Sequence, residues 1–393
     1  MRYFPGIDAT PPLRWNDFVK SGLPPAAEPD GPLHVCVRGR RLAYFGGSDY
    51  FRLAWHPEVR RSLTRALRDG GIDVAASRVT TGNRVVYVEA EKALARWMGT
   101  GSATLVSSGY LAPLVAAQAL ASRCDAAVCV AGAHPCLRDA AAASGLPVAE
   151  VPHPSALTAV CDQQGWRRPL LFRDGVGALT GRFQPLQPWL TALPPEGFLL
   201  LDDAHGVGTM DRQGRGGAEV EDIRDPRILW AFTLSKAFGL YGGVVAGPTW
   251  LASALWEGSR AARGGTPIPP AYAAAVPGVL RLLRLHGLRW RNTLVEHRDR
   301  VSQALNSLEA PRSSDHFGPV FGIAANDPIR QRRLFKALRF AGIEPPFIRY
   351  PGGPECGLFR FALSSAHSTA SIGRLVEVLS AECSHSPSGY RWL

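Results

Sequence analysis

Two short stretches carry most of the side chains able to do chemistry. The first runs an apolar segment, Phe198 to Leu201, into Asp202-Asp203-Ala204-His205-Gly206. An acid pair and a histidine leaving a buried strand would sit at its carboxyl end, the edge where open α/β sheets bind ligands. Alone, such a pair serves equally well as a Mg²⁺ site or as a loop cap. The second stretch begins about thirty residues on, where the apolar run Ile228 to Thr233 leads into Leu234-Ser235-Lys236-Ala237-Phe238-Gly239. Lysine is scarce here, most of the positive charge being arginine. An amine among small, apolar residues can have its pKa lowered enough to form a Schiff base, which a guanidinium cannot do. A solvated loop lysine is the plain alternative.

The elements that must position these groups follow from periodicity. Short apolar runs, Ala103 to Val106, Ala127 to Val130, Pro169 to Phe172, Phe198 to Leu201 and Ile228 to Thr233, are bounded by Gly, Pro or Asp. Each has the length of a strand buried on both faces. They alternate with helical patterns such as Pro57 to Arg68 and Tyr87 to Trp97. Alternation of this kind predicts an α/β fold with a mostly parallel central sheet covered by helices. Residues 1–50, rich in Pro and Gly with one strand at Leu33 to Val37, read as an N-terminal arm. Residues 51–275 read as the large domain. A long helical stretch from Ala271 to about Leu308 leads into a smaller α/β C-terminal domain over 276–383, and 384–393 reads as a loose tail.

Composition narrows the function classes. With 393 residues, 46% hydrophobic and 20% charged, the chain has ordinary globular usage, which excludes a disordered or collagen-like protein. No run approaches the roughly 18 apolar residues of a membrane helix, and Met1 to Trp15 lacks a signal-peptide layout, so a cytoplasmic protein is expected. The net charge is +11, but the basic residues are scattered in pairs such as Arg60-Arg61 and Arg167-Arg168, without a nucleic-acid-binding motif. A solvated basic surface, or attraction of a phosphate- or carboxylate-bearing substrate, accounts for the charge. The seven cysteines form no C-x-x-C pair, which argues against structural zinc and a disulfide framework; no metal is expected.

Taken together and in order along the chain, the motifs resemble the α-oxoamine synthases, a family of fold-type I pyridoxal-phosphate enzymes. The agreement begins at Gly47-Ser48-Asp49-Tyr50 and His56-Pro57 and continues through Ala76-Ser77-Arg78-Val79-Thr80-Thr81-Gly82 to Ser107-Ser108-Gly109-Tyr110 and Ala133-His134. After the two stretches above it reaches Gly265-Thr266-Pro267-Ile268-Pro269-Pro270 and Phe359-Arg360-Phe361-Ala362-Leu363-Ser364-Ser365-Ala366-His367. Within the family, Val85-Val86 followed by Glu91, and the DDAHG form of the acidic motif, look most like the 8-amino-7-oxononanoate synthases.

The resemblance implies a fold-type I transferase, pyridoxal 5'-phosphate as cofactor, and a homodimer with a shared active site. It implies condensation of an amino acid with an acyl thioester, borne by coenzyme A or an acyl carrier protein, to an α-amino ketone with decarboxylation. It makes Lys236 the residue that carries the cofactor, releases it to the amino acid as an external aldimine, and then moves a proton at the substrate α-carbon. Asp202 would hold the proton on the cofactor ring nitrogen, His205 would bond the phenolic oxygen, and His134 would stack on the ring. Gly109, Tyr110, Thr233 and, from the second subunit, Thr266 would hold the phosphate. Arg360 would pair with the substrate carboxylate. Five positions depart from the family pattern: Ser48 for Asn, Tyr87 for His, Asp174 followed by Ala178 for Glu followed by Ser, and Val130 for the Asp that precedes His134. Asp174 keeps a carboxylate with a shorter reach, Ser48 stands in the substrate region, and Ala178 has no hydroxyl for the phenolic oxygen. Another fold-type I reaction, such as transamination, decarboxylation or aldol cleavage, is the alternative, with a degenerate non-catalytic homologue behind it.

Overall fold

The computed structural model describes residues 24, 26–305, 318–350, 353–384 and 389–393; the first part of the expected arm lies outside them. Two compact units are present. Of the described residues, those up to Gly47, those from Leu294 to Leu305 and those from Val320 onward make the smaller one, while Ser48–Thr293 with Gly318 and Pro319 make the larger one.

In chain order the smaller unit opens with β1 (Glu28–Pro29), β2 (His34–Val37) and β3 (Arg40–Tyr44). Arg38 and Gly39, at φ 49° and 72°, close a tight hairpin between β2 and β3, the left-handed pair such a turn requires. The larger unit follows with α1 (Pro57–Gly70), α2 (Val85–Met98), β4 (Ser102–Val106), α3 (Leu111–Leu120), β5 (Ala126–Val130), α4 (Pro135–Ala143) and β6 (Val148–Val151). It continues with α5 (Pro154–Gln164), β7 (Pro169–Asp174), α6 (Gln187–Ala192), β8 (Phe198–Asp202), α7 (Gly217–Val220), β9 (Ile228–Thr233) and β10 (Gly243–Gly247). Then come α8 (Thr249–Gly258), α9 (Arg260–Gly264) and α10 (Pro270–Ala304), within which the unit boundary falls. The smaller unit resumes with β11 (Val320–Ala325), α11 (Pro328–Phe340), β12 (Ile343–Glu344), β13 (Phe347–Ile348), β14 (Leu358–Ala362), α12 (Thr369–Ser384) and β15 (Tyr390–Trp392).

The larger unit is built on a seven-stranded sheet of order β4-β10-β9-β8-β7-β5-β6. Along its central strands the side chains alternate between two buried faces. Leu170, Phe172 and Leu200 enter one core with Val115, Leu120 and Leu137 of α3 and α4, while Leu171, Leu199 and Leu201 enter the other with Leu157 and Leu190 of α5 and α6. Burial of both faces is why these strands read as unbroken apolar runs. β10 is the exception to parallel pairing, lying antiparallel to both β4 and β9. The segment between β9 and β10 is too short for a helical crossover, so the chain turns straight back. All seven cysteines are free, and among the described residues no helix is long and apolar enough to cross a membrane.

Three features of the smaller unit differ from the sequence expectation. β2 and β3, expected within an arm, pair with each other, and β3 pairs in parallel with β12, giving a four-stranded sheet with Val35, Val37 and Leu42 packed together. The second domain, expected from 276, takes over only at Leu294, because the long helix runs unbroken past the earlier position. The expected loose tail is corrected: β15 pairs antiparallel with β11, and Trp392 stacks on Phe321 at 4.7 Å, which stacks in turn on Phe361 at 5.0 Å. Aromatic area compensates the ordering of a chain end. Trp392→Ala is therefore expected to destabilise the smaller unit by about 3 kcal/mol, read as a lower urea midpoint; an unchanged midpoint would mean that this stacking contributes nothing.

Candidate active site

The parallel strands of the larger unit deliver their ends to one edge of the sheet. β7 ends at Asp174, β8 at Asp202 and β9 at Thr233; β5 runs on to His134 and β4 to Ser107 and Gly109. Asp174 and Asp202 are direct register partners, so two carboxylates project side by side. Asp202 is buried, 8% exposed. Burial first, then the neighbouring Asp202, pushes Asp174 up to about 7, against the smaller opposing effects of the His134 N–H and Lys236. Adjacent Asp203, fully buried, is likewise pushed up to about 7 by burial although it accepts the Gly217 N–H at 2.7 Å.

Lys236, three residues beyond β9, places Nζ 2.9 Å from His205 Nε2, and Tyr50 Oη lies 2.6 Å from His205 Nδ1. The imidazole is thus held from both sides. With the Tyr50 hydroxyl donating to Nδ1, the ring proton resides on Nε2 and faces an uncharged amine; in the other tautomer Nε2 accepts from the ammonium. Tyr50 is fully buried.

His134 caps α4, its Nδ1 accepting the Cys136 N–H at 3.3 Å, while its own backbone N–H donates to Asp174 Oδ2 at 2.9 Å. The Cys136 thiol lies 2.9 Å from His134 Nδ1 and donates to Asp202 Oδ2 at 3.2 Å. Donor atoms of His134, Cys136 and Asp202 gather within 4.8 Å of one another, a grouping able to hold a metal. Burial, then the charge of Asp202, pushes the Cys136 thiol far up, so it stays a protonated donor rather than a thiolate ligand.

The loop before α3 approaches β9 closely. A Cβ on Gly109 would come 2.5 Å from Thr233 Cβ, so only glycine fits, and the backbone before the helix meets the hydroxyls after β9. There Thr233 Oγ1 lies 2.7 Å from Ser235 Oγ and 3.2 Å from the Gly242 carbonyl. Tyr110 packs edge-on to His134 with ring centroids 6.1 Å apart. Thr266 lies beside this loop within the same chain, its carbonyl accepting from Ser107 Oγ at 2.7 Å.

The structure thus brings Lys236, Asp202, His205, His134 and Asp174 to one edge of a single sheet, and Gly109, Tyr110, Thr233 and Thr266 to the loops beside it. Ser48 begins the larger unit, two residues before Tyr50. Arg360 belongs to the smaller unit, on β14 opposite Gly322, with Phe359 and Phe361 on the other face of its strand. Tyr50, Cys136 and Ser235 were not singled out from the sequence. Tyr50 lies in the matched Gly47-to-Tyr50 motif and Ser235 beside Lys236, so position alone could have found both; nothing in the sequence pairs Cys136 with Asp202. Tyr87 is fully buried and donates to the Ile268 carbonyl at 2.7 Å, under the Arg78 guanidinium 5.0 Å from its ring centroid.

The donor set fits pyridoxal phosphate. Two crowded carboxylates at neighbouring strand ends call for a cation such as a protonated ring nitrogen, an amine stands beside them, and the hydroxyl and backbone groups around Gly109 and Thr233 suit a phosphate. Without the cofactor, Asp174 and Asp203 carry more protons folded than unfolded between pH 3.8 and about 7. Their contribution to stability is therefore fully present at the acid end and is lost as pH rises through that window. Asp174→Asn is expected to flatten part of this fall in the cofactor-free protein, measured as urea midpoints from about pH 4.5 to 8; an unaltered slope would mean that Asp174 titrates normally.

The model of the aminotransferase class I and II family matches residues 49–379. A putative 8-amino-7-oxononanoate synthase of Desulforudis audaxviator is 32% identical over 361 residues, covering 90% of this chain and 92% of that protein. The 8-amino-7-oxononanoate synthase of Methylobacillus flagellatus is 33% identical and covers 88% of each. Among solved structures, a serine palmitoyltransferase from S. paucimobilis matches with a TM-score of 0.85 at 21% identity, over 94% of this chain and 96% of that one. The 8-amino-7-oxononanoate synthase of Francisella tularensis gives 0.74 at 22% identity, over 88% and 98%. At such identities the structural likeness is one of fold. The chain belongs to the aminotransferase class I and II family and, within it, to the α-oxoamine synthases, which are pyridoxal-phosphate-dependent acyltransferases.

Proposed function

We propose that this protein condenses a small amino acid with an acyl thioester, releasing carbon dioxide and the thiol and leaving an α-amino ketone, as the names of its relatives suggest. The observation that carries this reading is the Lys236 amine held 2.9 Å from His205, beside the paired carboxylates Asp174 and Asp202. The cofactor, when bound, supplies an electron sink for charge developing at the amino-acid α-carbon.

The chain's own residues do the rest. Lys236 would hold the cofactor through its amine and would then move a proton to and from the amino-acid α-carbon. Asp202 keeps the ring nitrogen protonated; Asp174, pushed up to about 7, limits the number of negative charges buried beside it. His205, clamped by Tyr50, would donate to the phenolic oxygen, a contact to which Ala178, lacking a hydroxyl, adds nothing. His134 would lie against the cofactor ring. Gly109, Tyr110 and Thr233 hold the phosphate; within the chain Thr266 meets the same loop through its carbonyl, and the Thr266 hydroxyl of a second subunit is assigned as a further donor. Exposed Ile72, Val79, Val85 and Tyr241 in the larger unit offer apolar surface for such a homodimer. Arg360 takes the substrate carboxylate in its planar fork, and Ser48 is assigned to substrate binding as well. The acyl donor carries phosphate, as coenzyme A or a carrier-protein arm, which suits a chain of net charge +11. Seven unpaired thiols suit a reducing, cytoplasmic setting.

The test is a titration of the purified, cofactor-loaded protein with single amino acids, with and without acyl-coenzyme A, following visible absorption and product mass. A spectral change with one amino acid and an α-amino ketone only when thioester is present support the reading; an oxo acid formed without thioester sinks it in favour of transamination. Lys236→Ala is expected to lose the visible band of the lysine-bound cofactor together with turnover, and full activity would refute its role. Tyr50→Phe should lower kcat by about tenfold, the worth of one buried hydrogen bond, with little change in KM. Arg360→Ala should raise KM for the amino acid; an unchanged KM would remove its carboxylate role.

A further inference from the structure

The larger unit contains a cavity of about 780 Å³ that none of the side chains around Lys236 lines. It lies between the last turn of α2, the loop that follows His205, and the middle of α10. Five arginines line it, Arg96, Arg212, Arg215, Arg284 and Arg291, and no acidic residue does. Pro277, Leu280 and Leu283 of α10 give it an apolar wall.

Two of the arginines are committed to the fold. Arg215 donates to the Trp97 carbonyl at 2.8 Å and lies 3.5 Å from Glu219. Arg291, 5% exposed, donates to the carbonyls of Gly208 and Arg212, and its Nε is buried without a hydrogen-bond partner. Gly214 and Gly287 make room for this guanidinium, since a Cβ on either would come within 2.8 Å of its Nη1. Arg96, Arg212 and Arg284 have no carboxylate partner among the described residues. Cations converging on a concave surface focus a positive potential, and guanidinium forks match phosphate oxygens. The volume falls in the range of small-molecule sites, about 300–1,000 Å³.

The same contacts tie the cavity to the active site. Arg291 grips the loop at Gly208 and Arg212, the Gly208 N–H donates to the Gly214 carbonyl at 2.7 Å, and Thr209 Oγ1 donates back to the carbonyls of His205 and Gly206. The loop thus runs from the arginine cluster to the imidazole beside Lys236.

We propose that this cavity binds a ligand carrying two or more phosphates, at a site separate from that of the cofactor, and that its occupancy restrains the loop leading back to His205. The ligand is either the nucleotide end of a coenzyme A thioester or a free polyphosphate or nucleotide.

The test uses the full chain loaded with cofactor, so that the cofactor's own phosphate site is filled. Tripolyphosphate and coenzyme A are titrated by calorimetry at low salt into the wild type and into an Arg96→Ala/Arg284→Ala double variant. Both probes are expected to bind the wild type, with affinity falling by about tenfold or more in the variant, and tripolyphosphate should shift the visible band of the bound cofactor. A variant that also raises KM for acyl-coenzyme A assigns the site to the acyl donor. An unchanged KM with tripolyphosphate binding lost assigns it to a free polyphosphate effector. If the double alanine variant does not fold, Arg96→Gln and Arg284→Gln replace it. Failure of both probes to bind at millimolar concentration, or equal binding to wild type and variant, overturns the proposal. The amino-acid titration above stands or falls independently of this result.

Discussion

Two carboxylates in register at the ends of adjacent parallel strands set the terms for the rest of the site. Asp174 and Asp202 are neighbours because β7 and β8 pair residue for residue, and their burial makes two full negative charges there costly. Three groups packed around them reduce that cost by hydrogen bonding or positive charge. The His134 N–H serves Asp174, the Cys136 thiol serves Asp202, and Lys236 lends its charge to the pair. A carboxylate pair in such a cage would suit a cationic ring nitrogen, whose protonation is the electrostatic requirement of pyridoxal chemistry.

The position of Lys236 depends on the one antiparallel strand of the large sheet. A parallel continuation after β9 would carry the chain away over a crossover helix. Because β10 turns straight back, the segment from Thr233 to Gly242 stays at the sheet edge, with the Leu234 N–H bonded to the Gly242 carbonyl at 2.9 Å. This tight return presents the lysine to His205 and the Thr233 and Ser235 hydroxyls to the loop at Gly109. The imidazole is fixed on its other side by Tyr50, so the two histidine nitrogens are committed before any ligand arrives. Preorganisation of this kind lowers the reorganisation left for the reaction itself.

The departures from the family pattern differ in what they touch. Tyr87 is built into the fold, anchoring the Ile268 carbonyl in the segment that follows Thr266. Asp174 retains a charge-regulated carboxylate and also fixes the His134 backbone. Ala178 has no hydroxyl to offer where the family pattern has a serine.

Much of this was legible in the sequence. The apolar runs marked β4, β5, β7, β8 and β9 because strands buried on both faces carry no polar interruptions, and the residue types after them marked the sheet edge as the site. Lys236, Asp202 and His205 stood out because their chemistry is specific and their neighbours are small or apolar. Pairing was not legible. The side-by-side placement of Asp174 and Asp202, the thiol of Cys136 against Asp202, the grip of Tyr50 on His205 and the gathering of five arginines about one cavity all join residues far apart in the chain. The antiparallel β10, the hairpin at Arg38-Gly39 and the capture of Trp392 by Phe321 escaped for a related reason: short strands have little periodicity, and their stability comes from the partners they find. Local sequence determined which residues could react and which segments were strands; register and packing, which depend on contacts across the whole fold, decided which of those residues meet.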